Sequence, residues 1–176
     1  MTRYHPISVA LHWIAAILTI LALVAGTVLL DGTPNSDPNK IDGLQGHMTI
    51  GIIVLGLMVL RLITRFVTTA PPHADIGNAL VNRLGALAHW ALYGLVILMC
   101  LSGLGLAIQA NLFEIVMQRS GAPLPEDFYD FPPRIAHGIS AKLLMLLLAG
   151  HIVAALYHQF VRKDGLFARM WFGKRS

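Results

Sequence analysis

Four apolar stretches constrain this chain more than anything else in it. They run over about 7–30, 45–66, 84–108 and 135–161. Each exceeds the ~20 residues that an α-helix needs to cross a ~30 Å hydrocarbon core. The first and third carry no Lys, Arg, Asp or Glu. The second carries only Arg61 and Arg65, at its far end, and the fourth only Lys142. The expected fold is therefore an all-α integral membrane protein, a four-transmembrane-helix bundle forming a single domain over 1–176. Composition agrees: charged residues make up 12 % of the 176, against roughly 25 % in soluble domains. So sparse a charge cannot cover a water-soluble surface, which argues against a cytosolic enzyme, a disordered chain or a nucleic-acid binder. The single cysteine, Cys100, excludes an intrachain disulfide framework, a cysteine-rich zinc site and the C-x-x-C-H motif. The first stretch is too long for the apolar region of a secretory signal, and no A-x-A site follows Leu30. It reads as a retained helix.

The connections are short and rich in breakers: Pro34 and Pro38, then Pro71-Pro72, then Pro123, Pro125 and Pro132-Pro133. Orientation follows from Lys and Arg near the span ends. The side of the N-terminus holds Arg3, Arg61, Arg65, Arg83, Arg162, Lys163, Arg169, Lys174 and Arg175. The other side holds Lys40, Arg119 and Arg134, together with Asp31, Asp37, Asp42, Glu114, Glu126, Asp127 and Asp130. Both termini are expected in the cytoplasm, with the basic tail suited to anionic lipid headgroups.

Ionisable groups inside a bilayer are costly and usually face the bundle interior. Six of the eight histidines fall in spans or at their ends: His12, His47, His89, His137, His151 and His158. Taken singly, each reads equally as an interfacial residue or a hydrogen-bonder between helices. Taken together they have a pattern. His137 and His151 are 14 residues apart, close to four turns, so they share a face about 21 Å apart along the fourth helix. By depth His47 matches His137 on the outside, and His12 matches His151 on the inside, less closely. Two stacked pairs suit bis-histidine haem b in a helix bundle. Gly46, Gly51, Gly138 and Gly150 lie beside these histidines; small residues let helices approach and leave room for a macrocycle. Arg61, 14 residues after His47, is a possible propionate partner at the inner end. Arg134 and Lys142 are the outer candidates.

Several short motifs, in this order and spacing, resemble the bacterial cytochrome b561 family. They are Leu11-His12-Trp13, Gly46-His47, Ala136-His137-Gly138, Gly150-His151, Tyr157-His158, Arg162-Lys163-Asp164 and Lys174-Arg175-Ser176. The resemblance covers the whole chain and is nearest to the family's di-haem, superoxide-oxidising branch. It implies that His12, His47, His137 and His151 are the axial ligands of two haem b irons. It also implies an inner-membrane oxidoreductase that passes electrons from periplasmic superoxide to ubiquinone. On that reading Arg134 and Lys142 draw in the anionic superoxide. His158 hydrogen-bonds quinone and relays a proton, with His89 a second candidate; His5 and His73 read as exposed. Two other readings stay open. One is a cytochrome b subunit linking a periplasmic redox partner, of hydrogenase or dehydrogenase type, to the quinone pool. The other is a haem-free metal transporter or sensor.

Overall fold

A computed structural model describes residues 3–72 and 75–173; His73, Lys174 and Arg175 of the sequence reading lie outside them. Four helices are long and apolar enough to cross a membrane: Pro6–Leu30, Asn39–Val67, Ala79–Gln109 and Pro132–Arg162. We name them α1 to α4. The first and last end in wider π-helical turns, Ala25–Leu30 and Tyr157–Arg162. Residues Phe113–Met117 form a further π turn in the long connection between α3 and α4.

The helices outrun the apolar stretches because their polar ends are capped. Asp37 Oδ1 accepts from the Asn39 amide at 2.8 Å, so α2 starts six residues before Gln45. Asn78 Oδ1 accepts from Leu80 N and Val81 N, at 3.0 and 3.2 Å, and opens α3. His5 Nδ1 accepts from Ile7 N, with Pro6 next to it, and opens α1. Pro132 and Pro133 begin α4, where their missing N–H groups cost nothing.

α3 packs most extensively on α4, and α1 on α2, with α2 against α3 closing the bundle. Val54, Met58, Val96, Met99 and Leu144 fill the middle; Leu106, Leu112, Val116 and Phe128 fill the end bearing the long α3–α4 connection. Little else is inside. At most 28 % of any helix's most apolar window is buried, while Ile17, Val28, Leu87, Leu146 and Phe160 are exposed. Acyl chains, not water, must cover such a surface. This is a multi-pass membrane protein. The two ends of the described chain meet at one side of it. Tyr4 N donates to Arg169 O, Arg3 to Ala168 O, and Trp13 Nε1 to Met170 O at 2.8 Å. The expectation of four spans with both ends on one side holds.

Candidate functional site

α4 carries His137 and His151 at two depths, and each meets a histidine from another helix. His137 faces His47 of α2, with ring centres 6.1 Å apart and planes at 79°. His151 faces His12 of α1, at 6.5 Å and 73°. A third ring, His89 of α3, comes to 5.3 Å from His151. These distances discriminate. A metal–imidazole bond of about 2.0 Å, with the nitrogen about 1.1 Å from its ring centre, puts two axial rings roughly 6.3 Å apart across one metal ion. The His47–His137 and His12–His151 pairs match that span; His89–His151 is too short for it. Among the described residues no three or more His, Cys, Asp or Glu side chains close on one point. The arrangement is of pairs, not cages.

Hydrogen bonding prepares the rings unequally. His137 Nδ1 donates to Met99 O at 2.9 Å, with Ser102 Oγ at 3.2 Å. That leaves Nε2 free, the tautomer a metal-binding histidine needs. Ser102 Oγ itself donates to Met99 O at 2.9 Å. The Nδ1 atoms of His12 and His47 are buried and make no hydrogen bond of acceptable geometry, although the Ala22 carbonyl lies near the His47 ring. Buried polar atoms without partners are uncommon and call for an occupant or a function.

Each pair borders a cavity. The outer one has a volume of about 680 Å³, within the usual range for ligand sites, and its wall includes His47, His137, Lys40, Arg134 and Lys142. The inner one is about 170 Å³, walled by His12, His89, His151, Arg61, Arg65 and Tyr93. Glycine makes the approach possible at the outer pair. A Cβ on Gly103 would stand 3.0 Å from His137 Cε1, and one on Gly26 3.2 Å from His47 Cε1. Neither glycine was legible as important, because each lies on a helix other than its histidine's. Of the glycines picked from sequence, Gly46, Gly51 and Gly150 have nothing within 4 Å of a Cβ, and Gly138 meets only the Arg134 guanidinium. Gly51 and Gly138 do border the outer cavity.

The other sequence candidates divide. Arg61 lies in the inner wall, its guanidinium 5.1 Å from the Tyr93 ring centre. Arg134 lies in the outer wall, but it is no unpaired cation. It bonds Asp31 at 2.8 Å and stacks 4.6 Å over Tyr129, so its pull on a passing anion is largely cancelled. Lys142 is an exposed part of the outer wall; the outer acid Asp42 pairs with Arg119 at 2.6 Å. His158 does not border the inner cavity. It is the second residue of the π turn that ends α4. Its Nδ1 is 2.6 Å from Asp164 Oδ2. Burial pushes the Asp164 carboxyl up, but hydrogen bonds from His158, the Leu166 amide and Arg162 outweigh it and hold the group below its usual range. His5 is a helix cap, not a bare surface residue.

Residues 3–173 match the family model for prokaryotic cytochrome b561. Among curated proteins the chain is 24 % identical to "Probable superoxide oxidase CybB" of Yersinia pestis, over 99 % of this chain and 98 % of that one. It is 30 % identical to "Cytochrome b561 homolog 2" of Escherichia coli, over 99 % and 93 %. It is 28 % identical to "Cytochrome b562" of Cereibacter sphaeroides, over 95 % and 94 %.

Proposed function

The chain belongs to the prokaryotic cytochrome b561 family, and from that premise we propose that it carries electrons from superoxide, on the outer face, to ubiquinone on the inner. Membrership of the family makes it a membrane electron-transfer protein that works with b-type haem; two haems, the donor and the acceptor are our reading. The observation that carries the reading is the pair of histidine pairs, 6.1 and 6.5 Å between ring centres, stacked along one bundle. His47 and His137 hold the outer haem, His12 and His151 the inner. The donor set fits: four imidazoles, a His137 tautomer fixed by the Met99 carbonyl, a buried Nδ1 on His12 with no hydrogen bond, and cavities beside both pairs. When bound, the haems supply two one-electron stores. The positive-inside rule puts the Arg-rich end in the cytoplasm of a bacterial inner membrane.

His12, His47, His137 and His151 would hold the haems with an imidazole from each side, and substrates would exchange electrons at the cavity edges. Two superoxide anions each give one electron and leave as dioxygen; one ubiquinone takes both electrons and two protons to become ubiquinol. Lys142 and Arg134 border the outer approach, Arg134 with its charge offset by Asp31. At the inner end His89 is better placed than His158. Its Nδ1 donates to Gly85 O at 2.6 Å, which leaves Nε2 to bond a quinone carbonyl beside the inner cavity. His158, on Asp164, is left to exchange protons with the cytoplasmic surface. Arg61 offers a propionate partner. The similarity to a protein named as a probable superoxide oxidase supports the donor.

The test is direct. A pyridine haemochrome assay of the purified protein should give two haem b per chain. Stopped-flow mixing with superoxide should reduce them, and a soluble ubiquinone should reoxidise them. Failure of superoxide to reduce the wild type would favour the subunit reading, with a protein donor.

A further inference from the structure

Lys40 is the one deeply buried cation among the described residues, at 5 % exposure. Sequence reading placed it in an outer loop. It is instead the second residue of α2 and part of the outer cavity wall. Its Nζ donates to Leu30 O, at the end of α1, and to Thr33 O in the turn that follows. The first of these bonds caps a helix C-terminus, where a cation is favoured, but the two together leave one of three N–H donors unused and its charge uncancelled. Buried charge is costly unless an opposite charge joins it. The charged groups that face Lys40 are Asp31 and Arg134, and Asp31 is already committed to Arg134. Glu126 and Asp127 also border the cavity but are exposed, where water and salt screen them. The cavity therefore lacks one anion at its buried end.

We propose that Lys40, beside Arg134, is a carboxylate seat that receives a haem propionate in the outer cavity, an inference that rests on assigning His47 and His137 to that haem. A buried ammonium against a propionate stabilises the reduced, more negative state of the haem. Lys40 thereby sets the outer haem's potential apart from the inner one. It is a positioning residue and touches neither superoxide nor quinone.

The test is a redox titration of the full-length membrane protein, with haem quantitation and resonance Raman spectra of the propionate-bending bands. In Lys40→Met the outer midpoint should fall by at least tenfold in the reduction equilibrium, about 59 mV for one electron. The propionate band should shift, the inner midpoint should not move, and Lys40→Arg should restore both outer signals. Lys40→Gln, which keeps donors for the two carbonyls but loses the charge, should lower the outer midpoint and shift the propionate band in the same way; it decides the matter if Lys40→Met fails to assemble. Two haems with an unmoved outer midpoint would make Lys40 a helix cap and overturn the inference. So would a midpoint that falls with no change in the propionate band, since Lys40 would then act only through space. Retention of both haems after His47→Ala would instead overturn the ligand assignment, and the seat with it.

Discussion

The two cavities hold nearly the same pair of rings in very different space. Ring separation differs by only 0.4 Å between 6.1 and 6.5 Å, yet the outer cavity is four times larger, about 680 against 170 Å³. Ring spacing is set by where helix backbones run, and α4 serves both pairs. Room beside the rings is set by what the neighbouring helices carry. Outside, α1, α2, α3 and α4 contribute Gly26, Gly51, Gly103 and Gly138, and the missing side chains widen the space. Inside, Met58, Arg61, Arg65, Leu92 and Tyr93 occupy the same role, so the space depends on where long side chains lie. Two sites that read alike as motifs thus differ as chambers: glycines on four helices open one, and long side chains narrow the other.

The ligands should break the comparison most completely. His137→Ala should remove the outer haem, and His12→Ala the inner one, each halving the haem per chain and leaving one spectral component. Loss of the same component in both would show that the pairs are wrongly drawn. Next comes Gly103→Ala. Its methyl would stand 3.0 Å from His137 Cε1, closer than packing tolerates, and displacing a ligand ring costs ~10–100-fold in metal affinity. Haem titration should show that loss at the outer site alone, while Gly150→Ala, with nothing within 4 Å, should leave both sites as they are. A smaller, severalfold effect is expected in loading order. When haem is limiting, the roomier outer chamber should fill before the inner one, where arginine and tyrosine side chains narrow the space; equal filling would erase the distinction.

The smallest effect concerns the inner chamber's surroundings. Asp164 holds His158, Arg162 and the Leu166 amide, next to the segment whose Met170 borders the inner cavity. Its carboxyl lies below the ordinary range, so its stabilising contribution is complete above the usual carboxylate value near 3.9 and is lost as pH falls through the lower folded value. Protection of the 163–170 amides, their exchange taken relative to the intrinsic rate at each pH, should hold at neutral pH and fall only in stronger acid. Asp164→Asn should abolish that dependence and leave the outer haem spectrum untouched.

The fold was readable because hydropathy is one-dimensional. A run such as 84–108 needs no partner to declare itself, and the 14-residue spacing of His137 and His151 lies within one helix. The ring pairs followed from depth alone. What stayed hidden depends on two helices meeting. Gly103 matters only because His137 of α4 arrives beside it. Lys40 looked like a loop cation because its partners, Leu30 O and Thr33 O, are backbone atoms with no signature in the sequence. His158 does not border the inner cavity, and its partner Asp164 lies past a left-handed turn at Lys163 that no residue pattern announced.

One layer of the bundle bears on energy conversion. Thr19, Val96 and Leu144 border both cavities, and all three are buried, Leu144 to 1 % exposure. They form an insulating diaphragm one side chain thick, with a single hydroxyl in it. A layer so thin is no obstacle to tunnelling, but it offers no chain of titratable groups along which protons could follow. For the direction proposed above, charge crosses this layer as electrons unaccompanied. Those electrons move inward against an inside-negative voltage, at up to about 2.3 kcal/mol per 100 mV for a full crossing. An energised membrane is therefore a brake on the reaction, and collapsing the voltage in sealed vesicles releases it.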